Sequence, residues 1–318
     1  MSQAVGVEDF RSRGLPRLRR KAVEWPTMAL TLGTYAGWLL VTYHAATCPW
    51  WVAFPLGAVL ITLHSSLQHE ILHGHPTRSR RVNRVLGLVP LSLWVPFERY
   101  KQTHLLHHLD ERLTDPLDDP ESYYWTAEDW ARLGPVGRAL VKAQTTLLGR
   151  IVLGPPWSIA RFLMAEGRRV GADEPGARRI WAEHLLWCVP VVLWLVLVCG
   201  MPIWLYFAAI VMPGTGILLI RSFAEHKALP EARERTAIVE NSWILGPLFL
   251  FNNLHSLHHE NPTIPWYRYP GWYRENRDRL LAENGGLVYD GYLDVARRFL
   301  LWSHHRPPHP TGRVPRRA

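Results

Sequence analysis

Nine of the chain's sixteen histidines fall in four places: His69-Glu-Ile-Leu-His73, His104-Leu-Leu-His107-His108, His226, and His255-Ser-Leu-His258-His259. On an α-helix, positions i, i+3 and i+4 share a face, so each cluster turns two or three imidazoles the same way. Neutral imidazole is the commonest protein metal ligand and suits iron, zinc and copper. Eight or nine such ligands are too many for one tetrahedral zinc and fit about two six-coordinate metals. The pattern therefore predicts a polynuclear metal site.

Other readings compete. His69-Glu70-x-x-His73 also matches the His-Glu-x-x-His signature of zinc metalloproteases. Such a site needs one further ligand and leaves six of the nine histidines without a role, so it stands as a minor alternative. A metal-storage protein would not need clusters so specifically ordered. His44, His75, His184, His304, His305 and His309 read as ordinary surface or interfacial residues. His64 lies one residue off the His69/His73 face and is left outside the site. The nearby carboxylates Glu70, Glu225 and Glu260 are candidates to orient imidazole N–H groups from behind.

The elements that must hold these residues are apolar. No Asp, Glu, Lys or Arg occurs from Trp25 to His69, nor from His184 to Ile220. A membrane-spanning helix needs roughly 20 mainly apolar residues. Each stretch holds a pair, which predicts spans over 28–47, 50–66, 185–198 and 203–220. Basic residues gather before the first span (Arg11 to Lys21) and after the second (Arg78 to Arg84), while the segments around Cys48 and Gly200 carry none. By the positive-inside rule both termini and all four histidine groups face the cytoplasm. The same distribution assigns the net charge of +9 to a lipid surface rather than to nucleic acid. Cys48, Cys188 and Cys199 have no metal or redox spacing and read as apolar packing. No cleavable signal peptide is expected.

The chain thus divides into a basic arm (1–24), a membrane domain (25–285), and a C-terminal helix with a disordered tail (286–318). The apolar pieces Val85–Phe97 and Trp243–Leu254 are too short to span and read as interfacial or re-entrant. Residues 125–183 read as amphipathic helix on the membrane surface, with a break at Gly154-Pro155-Pro156. Residues 110–122 read as an acidic, turn-rich loop.

The three clusters in this order, with the lone His226 after the fourth span, resemble the membrane fatty-acid desaturase superfamily of histidine-box non-haem di-iron enzymes. The resemblance covers roughly residues 28–285. It implies an all-α integral membrane protein with four transmembrane helices in two hairpins and a cytoplasmic helical cap. It implies two iron ions held by His69, His73, His104, His107, His108, His226, His255, His258 and His259, with O2 as co-substrate. The implied reaction is desaturation of a fatty acyl chain, the alternative being a lipid, alkane or carotenoid hydroxylase or ketolase of the same superfamily. No motif separates the two reactions, and none names the substrate or the position of attack. The chain departs from the best-known acyl desaturases at Glu70, where Asp is frequent, and at Ser222, where acyl-CoA members carry Asn. Asn252 or Asn253 is the candidate to fill that position, Asn252 foremost. The chain has no His-Pro-Gly-Gly haem signature and no cysteine-rich module, so the electron donor is expected to be a separate ferredoxin, rubredoxin or cytochrome b5 type protein.

Overall fold

A computed structural model describes residues 22–310. Most of the expected basic arm and the final eight residues lie outside it. The described chain is mainly helical, and its one sheet is a two-stranded parallel pair, Ile238–Val239 with Val288–Tyr289. Among the described residues three helices are long and apolar enough to cross a membrane: α2 (Trp50–Leu72), α8 (Ala177–Val198) and α9 (Ile203–Glu225). The first expected span, 28–47, corresponds to α1 (Trp25–Tyr43), which does not reach that threshold. Its buried residues are mostly threonines, and Thr31, Thr34 and Thr42 bend their hydroxyls back onto carbonyls four residues earlier. That stripe lowers its hydropathy without adding a charge.

Helices α2 and α9 run side by side in the same direction. Gly57 meets Ile210, and Gly214 meets Ala58 and Ile61 so closely that a Cβ there would lie 2.7 Å from the Ala58 carbonyl oxygen. Thr62 donates to the Gly214 carbonyl. The offset seen at 57/210 and 61/214 carries His73 level with His226. Two of the histidine groups therefore arrive at one end of the bundle because two glycines let these helices touch.

Between α2 and α8 come α3 (Arg80–Leu88), α4 (Phe97–His107), the short α5 (Ala127–Arg132) and α6 (Pro135–Ala143), and α7 (Leu147–Gly171). Residues 89–96 leave helical structure and enter the bundle, where Leu91 is 1 % exposed. Backbone at such depth needs partners. The Leu91 carbonyl accepts from Tyr206 Oη at 2.7 Å, and the Leu93 carbonyl lies 3.0 Å from His184 Nε2. His184 is thus a buried partner of this segment rather than an interfacial residue.

Helix α7 runs unbroken through Gly154-Pro155-Pro156, against expectation. Pro155 cannot bond the carbonyl of Ile151, but Gly216 of α9 closes on that oxygen, to 2.9 Å from where its Cβ would stand. Gly154 likewise makes room for Leu219. Tight packing on α9 offsets the missing hydrogen bond.

Two further expectations change. His75 is fully buried and its Nδ1 lies 2.6 Å from Glu24, tying the entry of α1 to the turn after α2. The tail is ordered to residue 310: Trp125 N–H donates to Pro307 O, His309 N–H to Trp125 O and His304 N–H to Thr145 O. His304 and His309 are buried. The three cysteines are free thiols.

Candidate metal centre

The last turns of α2 and α4 carry His69 and His104/His107, while His73, His108 and His226 cap the C-termini of α2, α4 and α9. Helix C-termini bear partial negative charge, which favours a cation gathered there. The helix His255–Glu260 supplies the other three. The nine imidazoles converge into two adjoining groups. His69, His73, His104, His108 and His258 form one, and His107, His226, His255 and His259 the other.

Both His-x-x-His-His clusters divide alike. Positions i and i+4 (His104 and His108; His255 and His259) go to one group, and i+3 (His107; His258) goes to the other. Each helix therefore serves both groups, which sit so close that the His108 and His259 rings stack at 4.3 Å.

The spacing of the inward nitrogens is informative. In the first group the Nε2 atoms of His73 and His104 are 3.1 Å apart, His104 and His108 2.9 Å, His108 and His258 3.0 Å. In the second, His107 and His226 are 3.0 Å apart, His226 and His255 2.9 Å, His255 and His259 3.1 Å. Two nitrogens about 2.1 Å from one ion stand ~3.0 Å apart at a right angle and ~3.4 Å apart at the tetrahedral angle. All six separations match the right angle.

Several Nδ1 atoms face acceptors, which fixes the tautomer and turns the Nε2 lone pair inward. His104 Nδ1 lies 2.9 Å from Glu121, and His107 Nδ1 2.9 Å from Asp119. His226 Nδ1 faces the Arg235 carbonyl at 3.3 Å. His255 Nδ1 lies 3.2 Å from Asn252 Oδ1 and 3.3 Å from Glu225. His258 Nδ1 is 3.0 Å from Tyr269 Oη. Facing lone pairs at such separations repel unless a cation lies between them. His69 Nε2, buried, has no hydrogen-bond partner. The donor set fits metal ions.

The electrostatics agree. Burial pushes His108, His226, His255 and His258 well below the usual histidine pKa, and neighbouring imidazoles add to the shift. These side chains stay neutral, as ligands must. His107 differs: burial pulls it down, but Glu121 and Asp119 more than offset this and raise it to about 9. Burial pushes the Glu121 carboxyl up, yet His104 and His107 hold it far below the usual range.

Of the residues expected behind the ligands, Glu225 and Asn252 touch His255, and Asn252 also donates to Glu225. Glu70 instead accepts from the Trp266 amide, Glu260 pairs with Arg279, and Asn253 donates to the Val239 carbonyl. Ser222 bonds Tyr123. His64 is buried outside both groups, its ring 5.7 Å from Tyr35. Asp119, Glu121 and Tyr269 escape a reading of the sequence. The two acids sit in what looks like a solvated acidic loop, and the only hint is that this loop directly follows a histidine cluster.

Residues 45–292 match the fatty acid desaturase family model. A comparison with curated proteins found no match.

Proposed function

The chain belongs to the fatty acid desaturase family, and from that premise we propose that it is an O2-dependent di-iron membrane oxidoreductase that desaturates a fatty acyl chain with electrons from a separate donor protein. The observation that carries this reading is the division of nine imidazoles into two adjoining groups with right-angle nitrogen spacing. His69, His73, His104, His108 and His258 would hold one iron, and His107, His226, His255 and His259 the other. When bound, the irons supply the redox chemistry with O2 that breaking an unactivated C–H bond demands and acid–base groups lack. The chain's own residues set the stage. Asp119, Glu121, Asn252, Glu225, Tyr269 and the Arg235 carbonyl hold Nδ1 protons outward, keeping each Nε2 free to bind. Seven of the nine ligands are buried and His226 and His259 half-buried, which limits the access of bulk water to them. In the zinc protease alternative Glu70 would be the general base, but its carboxylate is engaged at the Trp266 amide.

Helix α1 joins the three apolar helices as a fourth span, its 19 residues reaching roughly 28 Å against a hydrocarbon core of about 30 Å. The histidine-bearing ends face the cytoplasm, where the basic segments lie.

The deciding measurement is iron and zinc per chain after purification in mild detergent. Two irons, lost together on His107→Ala or His258→Ala, are expected, with an unsaturated lipid product on reconstitution with a donor. One zinc that survives those substitutions and is lost with His69→Ala would overturn the proposal.

A further inference from the structure

Outside the histidine centre lies a buried basic nest with no acid in it. Arg150 is among the largest fully buried side chains. Its Nε donates to the Gln144 carbonyl at 3.0 Å, and its guanidinium lies 3.6 Å from the centre of the Tyr123 ring. Nη1 is buried without a hydrogen-bond partner. The Phe223 ring, 5.9 Å from this guanidinium, also meets His304 at 5.1 Å. His304 Nδ1 is 3.1 Å from Nδ1 of His305, whose ring packs on Tyr124 and whose Nε2 is again buried without a partner.

Arg99 and Arg221 also bury nitrogens without a hydrogen-bond partner, but beside a carboxylate. Arg99 and Arg221 face Glu166 and Glu225 at 2.9 and 2.8 Å. Arg235 turns its nitrogens to three backbone carbonyls. Arg150 has one such carbonyl, that of Gln144, and no facing carboxylate among the described residues. Burial pushes His304 and His305 below their usual pKa, and Lys227 and Arg150 push them further, with no carboxylate acting in the opposite sense. A buried guanidinium with an idle arm is costly unless an anion meets it, and its planar fork suits carboxylate and phosphate oxygens.

The nest adjoins the histidines. Tyr123 follows Glu121 by two residues, and its hydroxyl lies 3.1 Å from Ser222 Oγ, one helical turn before His226. We propose that Arg150, His305 and Tyr123 form a pocket for an oxyanion, the acidic headgroup of a lipid whose chain runs on toward the histidine centre. Calling that lipid the substrate rests on the desaturase reading; the binding itself does not.

The test uses the full chain in detergent and equilibrium binding of three probes: sodium oleate, dioleoyl phosphatidate and the uncharged oleyl alcohol. An acidic probe is expected to bind about tenfold more tightly than the alcohol. That preference should vanish in Arg150→Gln and survive in part in Arg150→Lys. Preference for oleate assigns the anion to a free carboxylate, and preference for phosphatidate to a phosphate ester. Should Arg150→Gln fail to fold, His305→Gln should still cut the preference several-fold. No acid preference in the native chain, or a lower melting temperature with the preference intact in the variants, overturns the proposal. The same measurement on iron-free protein separates the two readings. A chain that binds no iron but keeps the preference defeats the desaturase proposal alone, and a di-iron desaturase without the preference defeats only this one.

Discussion

Imidazoles that must meet a metal are only as good as the groups behind them, and here those groups are unequal. Asp119 is almost fully buried and also accepts from the backbone amides of Thr114 and Glu121, so it fixes both a histidine and a loop. The Glu121 side chain is about a third exposed. Partners of this kind are typically worth about 10–100-fold in metal affinity. Asp119→Asn should therefore cost more iron than Glu121→Gln when both variants are challenged with a chelator. Glu70→Gln should keep its iron, because Glu70 holds the Trp266 amide; full iron loss in that variant would contradict the placement. Eight of the nine histidines were legible from i, i+3, i+4 spacing, and the lone His226 from its place after the fourth span together with the family resemblance. The acids behind His104 and His107 were not, since Asp-Asp-Pro-Glu in a turn-rich loop has the composition of a solvated surface. His75, His184, His304 and His309 were misread for a related reason: periodicity reports a helix face, and a lone histidine held by one distant partner leaves no period.

Among the elements, small residues set the register. Gly214 and Gly216 of α9 look toward two different neighbours, α2 and α7, and each allows a backbone approach that a methyl group would block. Gly214→Ala should lower stability by about 1–3 kcal/mol through overpacking. Gly167→Ala, in α7 where a Cβ would meet nothing within 4 Å, should raise it by about 0.5–1 kcal/mol. Melting curves of the two variants check both signs. The sequence announced the apolar stretches but not the continuity of α7, because Gly-Pro-Pro is a helix breaker by local rules alone. Only contact with α9 makes the helix the better choice.

For the whole molecule, the ends are tied to the middle. Residues 303–310 bridge Trp125 and Thr145, so a chain ending at Trp302 should melt several degrees lower even though no histidine of the centre is removed. Acid should loosen the same region. Burial, then Lys227 and Arg150, lower His304 to about 3, while the unfolded chain titrates near 6.5. Between those values the unfolded state binds the extra proton, so this contribution is present above about pH 6.5 and declines as pH falls toward 3. At pH 5 the loss is roughly 2 kcal/mol. His304→Asn should flatten the fall in melting temperature between pH 7 and 5 in protein freed of acidic lipid. The split of each His-x-x-His-His helix between two groups reaches further. A first ion that pins His104 and His108 also fixes His107 for its neighbour, and one that gathers His255 and His259 also sets His258. Filling one position should preorganise the other, so loading of two ions should be cooperative. Titrating iron into stripped protein should yield mixtures of empty and doubly loaded chains, with the half-loaded form scarce throughout.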